Sequence, residues 1–590
     1  MNIGTAKKVT AMLRRIFDST SQTVPISDQR PGKPEFCPKP SAMKNCGISG
    51  SGLDPRAVGD YLLSIRRDEG LNIHGILILK DGRLVCDAGF GMHSNDIQKQ
   101  TFSECKSIVS IAVGMLVAEG KLSLDERLVS IFPDETGPLA KLSLRDLRII
   151  NLLTMTSTVQ FNEAEAMCED RWISCFMNSS LKGEIGKTFN YNSLNTYMLA
   201  AAVVKKSGVS LTEYLKPRLF DKLGITDVFW EKSPEGIEKG GWGLYIRPED
   251  VAKIGIMMMN GGVYNGERIL DGEYIAAATH TRIQPPKEIS ENGYGFQIWT
   301  GGNYFIFNGM FGQNLFCFTD TGVIVVSNGG TGELFQSSSF YKKTVDAFAS
   351  PDSAVFSDNG GDAGYLDKVL HEIRFRPPEP VYAGIREKRG FLSRLFGKKQ
   401  PPKKIDPLLG YAGMKLTPCD RRAASAGLLP LILQATQNTY AKGLKEVSFG
   451  ESGGVFTVSF TEGDETRVLN VGYYSPAVSH LDFEGEKYYV TAIGRRARNE
   501  DGDDVLTVDA DFSETPCSRR IKFVFRGESA EMILTEEPSE KFILSSVLDL
   551  KQAFSDNALL RPILGRIDDD FIAFKAERAF APRIGMKIEK

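Results

Sequence analysis

The stretch Thr101-Phe102-Ser103-Glu104-Cys105-Lys106-Ser107-Ile108-Val109 leads into an apolar run through Ile111, Ala112, Val113, Met115, Leu116 and Val117, closed by Gly120. Such a run has no polar face to give to water, so it reads as a buried helix, and whatever stands at its head enters the interior with it. Ser103 and Lys106 stand there. Three positions apart, they share one helix face about one turn from each other. A serine hydroxyl is a poor nucleophile at neutral pH and needs a base within hydrogen-bond reach. Lysine becomes that base when its pKa falls well below the solution value of about 10.4, and burial and the positive end of a helix both push it down. Taken alone, Ser-x-x-Lys is a helix cap followed by a solvated lysine. Two stretches downstream change the weighting.

The second is Lys187-Thr188-Phe189-Asn190-Tyr191-Asn192-Ser193-Leu194-Asn195-Thr196-Tyr197, just ahead of an apolar helix. A tyrosine beside a lysine-activated serine can take the hydroxyl proton and pass it to the leaving group. Tyr191 suits that relay, with Ser193 holding the Lys106 ammonium or a substrate carbonyl. In isolation Tyr191 is equally an aromatic before a helix that Asn or Ser caps. The third is Phe307-Asn308-Gly309-Met310-Phe311-Gly312-Gln313, between two strand patterns. Acyl transfer needs backbone N–H donors aimed at the developing oxyanion. Glycines that open a strand let a substrate reach the main chain. The Met310 N–H can then pair with that of Ser103, while Asn308, Gly309, Gly312 and Gln313 line the substrate side. Otherwise such glycines mark a bulge or a turn.

At 590 residues the chain is long for one core, so two or more domains are expected. A net charge of -3 gives no global reason to expect nucleic acid or an acidic membrane as partner. The 9 cysteines are scattered and without Cys-x-x-Cys spacing, which suits a reducing compartment. The N-terminus lacks an apolar core of signal-peptide length and no apolar run is long enough to cross a bilayer, so a cytoplasmic protein is expected. The 5 histidines form no His-Glu-x-x-His, and neither a Gly-x-Ser-x-Gly elbow nor a Walker motif occurs. Asn499 to Asp504 is acidic but out of EF-hand register and reads as a hairpin turn.

Along the chain, residues 1–52 read as an extension with little core of its own. Within it Lys7 to Phe17 can form a short basic amphipathic helix for a membrane surface, a frayed tail being the plainer account. A helix from Asp54 to Arg67 precedes a hairpin around Lys80-Asp81-Gly82-Arg83. Helices follow at Ser143 to Thr154, Asn195 to Ser207, Leu211 to Leu223 and Pro248 to Met259. Strands return at Gly293 to Trp299, Tyr304 to Phe307, Asn314 to Phe318 and Val323 to Ser327, and a helix from Ser338 to Phe348 closes the unit. Strands at both sequence ends with helices between them imply an α/β unit, one sheet built from distant segments with helices around it. Residues from about 350 to 406 hold loose stretches. A Pro-rich and basic linker occupies 377–406, and its run from Arg386 to Lys404 can touch an anionic surface, a solvated linker being the default. From 407 to 590, after a helix around Leu428 to Gln437, alternating strands predict a smaller antiparallel barrel or sandwich.

Ser103-x-x-Lys106, Tyr191-Asn192-Ser193 and Gly309-x-x-Gly312-Gln313, in this order and at these separations, resemble the serine hydrolases related to class C β-lactamases, penicillin-binding proteins, family VIII esterases and 6-aminohexanoate-dimer hydrolases. Gly241-Trp242-Gly243-Leu244 before Arg247-Pro248-Glu249-Asp250 and Tyr294-Gly295-Phe296-Gln297-Ile298-Trp299 add to it, and the likeness spans residues from about 53 to 349 within a 53–376 unit. The resemblance implies a β-lactamase/transpeptidase-like antiparallel sheet flanked by helices. It implies an acyl-serine intermediate on a small-molecule ester or amide, and no metal or organic cofactor. Ser103 would be nucleophile, Lys106 base, Tyr191 relay and Met310 a backbone oxyanion donor. Where the family often carries lysine, histidine or a Ser-Thr pair before the oxyanion glycine, this chain has Phe307-Asn308-Gly309, so the resemblance does not extend to a reader of substrate carboxylates. An acyltransferase on the same acyl-enzyme and a non-catalytic ligand-binding scaffold are the alternatives.

Overall fold

A computed structural model describes residues 32–166, 169–332, 338–357, 362–381, 404–420, 427–437, 439, 442–538 and 581–589. The helix expected at Lys7 to Phe17, Cys168 and nearly all of the basic run at Arg386 to Lys404 lie outside them.

The first unit is built on β1 (Ile73–Lys80) and β2 (Arg83–Gly89), whose hairpin turns through Asp81 and Gly82, both at positive φ. Its sheet is completed from far along the chain by β6 (Gly293–Tyr294), β7 (Trp299–Thr300), β8 (Tyr304–Gly309), β9 (Gln313–Phe318) and β10 (Val323–Gly329). The seven strands run antiparallel in the order β2-β1-β10-β9-β8-β7-β6. Side chains alternate between two buried faces. Leu77, Leu79, Leu315, Ile324 and Val326 go to one core, and Ile76, Ile78, Phe316, Val323 and Val325 to the other.

Helices cover both faces. On the first lie α2 (Lys106–Ala118), α3 (Ser193–Ser207) and α4 (Pro248–Met259). On the second lie α1 (Pro55–Arg66), α5 (Ser339–Phe348) and α6 (Ala363–Ile373). The side chain of Asp54 caps α1 by accepting from the Arg56 and Ala57 N–H groups, and α3 runs from an Asn192 cap to left-handed Gly208. Helix α6, in a stretch expected to be loose, lays Leu366, Val369 and Ile373 into the second core. A side sheet orders β3 (Lys99–Gln100), β5 (Leu244–Ile246) and β4 (Phe229–Trp230) as β3-β5-β4.

Three expected elements are interrupted. The helix expected over Ser143 to Thr154 is two short ones, Pro138–Ser143 and Ile149–Leu153, because Leu147 turns out to accept the Leu128 N–H at 2.8 Å. Helix Leu211–Leu215 passes into a wider π turn at Lys216–Phe220, where Pro217 withholds an N–H. The strand expected over Gly293 to Trp299 is cut by Gln297 at φ 59°.

The second unit is a nearly closed ten-stranded antiparallel barrel. Its strands are β11 (Lys415–Pro418), β12 (Leu444–Ser452), β13 (Val455–Glu462), β14 (Glu465–Val471), β15 (Ala477–Phe483), β16 (Glu486–Arg498), β17 (Asp504–Phe512), β18 (Ser518–Arg526), β19 (Ser529–Glu537) and β20 (Arg583–Glu589), in the order β14-β13-β12-β11-β20-β19-β18-β17-β16-β15. Asn470 joins the end strands, its amide donating to Val478 C=O and its N–H to Ser479 Oγ. Alternate residues such as Phe449, Phe456, Val490, Phe523 and Met532 fill the interior. Buried Arg519 pairs with Glu536, which accepts the N–H groups of Leu431 and Ile432.

The described part of the extension, 32–52, takes its core from others. Phe36 stacks on Tyr245 of β5 at 5.6 Å, and Lys33 is buried against Glu514 of the barrel.

Candidate active site

Ser103 lies in a 3-10 turn, Phe102–Cys105, and Lys106 opens α2 directly after it. The Lys106 ammonium donates to Ser103 Oγ at 2.7 Å and to Gly241 C=O at 2.7 Å. Lys106 is 1% exposed while Ser103 is half-buried, so the amine is sheltered and the hydroxyl is reachable. The turn is fixed by Cys105, whose single S–H lies 3.0 Å from both Phe102 C=O and Gly240 C=O and can donate to either. Burial pushes that thiol up to about 12, so it packs and does not react.

Two left-handed phenylalanines hold the turn to the hairpin that follows β8. Phe102 has φ 48° and Phe311 φ 68°, and their rings meet edge to face at 4.9 Å. A non-glycine residue in this region costs about 1 kcal/mol or more, so packing around both must hold them there. Gly309 makes the approach possible, because a Cβ on it would lie 2.2 Å from Thr101 C=O. Met310 begins the connection Met310–Gly312 between paired Gly309 and Gln313, beside the nucleophile turn.

The remaining predicted residues sit as follows. The Lys106 Nζ lies 5.1 Å from the centre of the Tyr191 ring, which stacks on Trp299 at 5.8 Å. Ser193 opens α3, its N–H donating to Glu163 at 2.7 Å and its main-chain carbonyl packed against Gly241. The acceptor of the ammonium at that place is thus the Gly241 carbonyl. Asn308 donates to Asn314 Oδ1 at 2.6 Å and Asn314 to Ser327 Oγ at 3.2 Å, while Ser327 closes on Gly312 C=O at 2.9 Å. Gln313 is buried and donates to Gly329 C=O at 2.7 Å, which braces the hairpin from behind.

Several supporting residues stood inside the quoted motifs or beside them without an assigned structural role. Gln297 donates to Leu152 C=O at 2.7 Å, accepts from Thr196 at 2.6 Å, and its own carbonyl accepts from Ser107 at 2.7 Å. It therefore ties α2 to α3 beneath the site, and its signal was a lone amide inside the aromatic run Tyr294 to Trp299. Gly241 supplies the carbonyl to Lys106, and the Gly240-Gly241-Trp242-Gly243 cluster was its signal. Asn192 caps α3 and donates to Val159 and Phe161 C=O at 3.1 and 2.8 Å. Glu104, next to Ser103, is buried, and desolvation holds its carboxyl well above the usual carboxylate range. Among the described residues, metal-type donors gather only at exposed Glu35, Cys37 and His480, away from this corner.

No helix of the described residues is long and apolar enough to cross a membrane. Residues 68–336 match the Beta-lactamase family model. A 6-aminohexanoate-dimer hydrolase of Paenarthrobacter ureafaciens is 26% identical over 287 residues, 42% of this chain and 70% of that relative. Among solved structures, a putative 6-aminohexanoate-dimer hydrolase from Bacillus anthracis aligns at 16% identity and TM-score 0.42 over 60% of this chain and 92% of its own. An octameric penicillin-binding protein homologue from Pyrococcus abyssi aligns at 15% identity and TM-score 0.40 over 81% and 98%. Residues 68–336 thus carry a Beta-lactamase domain, an antiparallel sheet flanked by helices, joined in this chain to a ten-stranded barrel.

Proposed function

We propose that this protein hydrolyses an ester or amide bond of a small molecule through an acyl-Ser103 intermediate. The observation that carries the reading is the 2.7 Å contact between Lys106 Nζ and Ser103 Oγ, with the amine buried and the hydroxyl reachable. In the acylation step Ser103 Oγ attacks the carbonyl carbon and its proton passes to the neutral form of Lys106. The carbonyl oxygen becomes an oxyanion, for which the N–H groups of Ser103 and Met310 are the donors. Collapse expels the leaving group, which takes the proton from Lys106 through the Tyr191 hydroxyl. Water then attacks the acyl carbon and Ser103 departs by the reverse transfers.

The substrate class follows from the walls. The half-buried ring of Tyr191, backed by the buried rings of Trp299 and Tyr294, forms one aromatic side, and Asn308, tied into the Asn314-Ser327 chain, stands where a cation would read a carboxylate. Neutral acyl groups with an apolar body fit this better than anionic ones. Labelling with a fluorophosphonate tests the chemistry: Ser103 should carry the phosphonyl group and Ser103→Ala should carry none while melting like wild type. Well-folded wild type that takes up no label sinks the reading. A panel of p-nitrophenyl esters, nitrocefin and small amides then ranks the leaving groups.

A further inference from the structure

The connection between β17 and β18, Ser513-Glu514-Thr515-Pro516-Cys517, touches both halves of the candidate site from the barrel side. Strand β3 leads into Ser103, and its N–H groups alternate in direction as in any strand. Thr101 donates inward to Leu244 C=O of β5 at 2.9 Å, and Gln100 donates outward to Glu514 C=O at 2.8 Å. Lys99 Nζ adds a bond to Ser513 C=O at 2.6 Å. The barrel tip thus closes the free edge of the strand that ends in the Phe102–Cys105 turn. Two residues further on, the same connection meets the other half. Pro516 C=O lies 2.3 Å from where a Cβ on Gly330 would be, and Thr331, the next residue, donates to Phe311 C=O at 3.2 Å.

Glu514 is what keeps the tip in place. Its carboxylate, fully buried, accepts from Lys33 Nζ at 3.2 Å and from the Tyr489 N–H at 2.9 Å. Lys33 is enclosed by the rings of Phe36 and Tyr488 at 4.9 and 4.7 Å, and its N–H donates to Glu486 at 2.9 Å. A buried charge with a partner removed has no water to turn to, so neither member of this pair can lose the other without movement.

We propose that this connection, anchored by Lys33 and Glu514, is a positioning brace for the acylation site: it holds the lead-in to Ser103 and the Met310–Gly312 hairpin at their working separation. The barrel is on this account part of the catalytic unit. Glu514 and Lys33 touch neither substrate nor Ser103 and act through β3 and Gly330. The inference rests on acyl-Ser103 as the reacting species, and the experiment separates the two.

The test is the rate constant of fluorophosphonate labelling at Ser103, per folded molecule, in the full chain. Wild type must label for the chemistry to stand at all. Given that, Glu514→Gln, which takes away the carboxylate bonded to the Lys33 ammonium, should slow labelling at least tenfold while KM for a p-nitrophenyl ester moves less than threefold. Lys33→Met/Glu514→Met, which removes both charges together, should recover to within threefold of wild type. Gly330→Ala, whose Cβ presses hardest on Pro516 C=O and more lightly on the Asn72 and His74 side chains without touching the charge pair, should slow labelling like Glu514→Gln and serves if that variant does not fold. The wild-type Gln100 amide should also be among the slowly exchanging ones. Labelling at the wild-type rate in folded Glu514→Gln or Gly330→Ala, or fast exchange at Gln100, overturns the brace and leaves the hydrolase reading untouched.

Discussion

The barrel and the catalytic corner use left-handed backbone for opposite ends. In the barrel, positive φ falls on turn glycines such as Gly453, Gly454, Gly485, Gly502 and Gly527, with Glu484 the one non-glycine among the described residues, and that too in a hairpin turn. In the hydrolase unit Asp81 and Asn265 adopt it in hairpin turns too, but so do Phe102, Phe311, Gln297 and Met155, each of which also makes a contact beyond its own turn. Phe102 and Phe311 pack on each other, Gln297 ties two helices, and Met155 C=O accepts the N–H of Asn190 just before Tyr191. The barrel can relax these conformations with glycine because nothing reacts there. The corner holds bulky residues in them because neighbouring packing depends on those side chains, the pattern expected where geometry serves chemistry.

The contrast is broken most sharply by one substitution on each side. Lys106→Met keeps a side chain of similar length in a buried slot but removes the base, and a general base accounts for roughly 10²–10⁴ in rate. Turnover of a p-nitrophenyl ester should fall by about 10³ while the thermal midpoint stays within a few degrees. On the barrel side, Phe449 is buried against the rings of Phe456 and Phe523 at 5.8 and 5.2 Å. Phe449→Ala should cost about 3–5 kcal/mol in denaturant unfolding, the usual range for a buried phenylalanine, and leave turnover per folded molecule unchanged. If Phe449→Ala abolished turnover without unfolding, the division of labour between core and corner would be wrong.

The same contrast explains what could be read in advance. Strands such as Ser518–Arg526 and Ser529–Glu537 alternate buried residues with more exposed ones at a period of two, so the pattern alone marks them, though not whether they close into a barrel or stack as a sandwich. Closure depends on contacts such as Asn470 with Val478, which no local pattern encodes. In the hydrolase unit the motif residues carry chemistry that can be named from residue type. Gln297 and Gly241 work through a side-chain amide or a main-chain carbonyl delivered across the fold, and nothing in their residue type says so. The role of Glu514 was equally hidden, because its partner Lys33 stands 481 positions away.

A smaller effect sharpens the comparison within the left-handed residues. Phe311→Gly relieves about 1 kcal/mol of backbone strain but removes the ring that meets Phe102. Turnover should fall about tenfold, and stability should fall by about 2–4 kcal/mol, because losing a buried ring outweighs the strain relieved. Glu484→Gly, in the barrel turn at φ 57°, relieves the same strain but loses the partner of Lys442 at 3.0 Å. Stability should change by less than about 1 kcal/mol, since an exposed ion pair contributes little, and turnover should not change. Equal losses of turnover in the two variants would mean that left-handed residues at the corner have no special part in it.

The smallest effect lies where the two regions meet. His74 and His93 stack at 3.6 Å, and His93 Nε2 lies 3.3 Å from Asp511 of the barrel. Burial, with the nearby Lys99 charge, holds both imidazoles well below their usual range. Burial also pushes Asp511 up to about 7, against the pull of Lys99 and Arg520, and brings Lys99 down to about 8. Below pH 6.5 the unfolded chain therefore takes up two protons that the folded imidazoles refuse, and stability falls with pH. Asp511 works the other way, since between about 4 and 7 the folded chain holds a proton the unfolded one lacks. Lys99 is charged in both states throughout this window, and its loss of stability is relieved only as pH rises above 8. His74→Asn/His93→Asn should remove the two refusals and leave Asp511, so from pH 6.5 to 5.5 the stability of wild type relative to this variant should fall. Asp511→Asn should instead steepen the acid loss. Parallel stability curves for wild type and the double histidine variant over that interval would mean that the imidazoles at the seam titrate as they do in the unfolded chain.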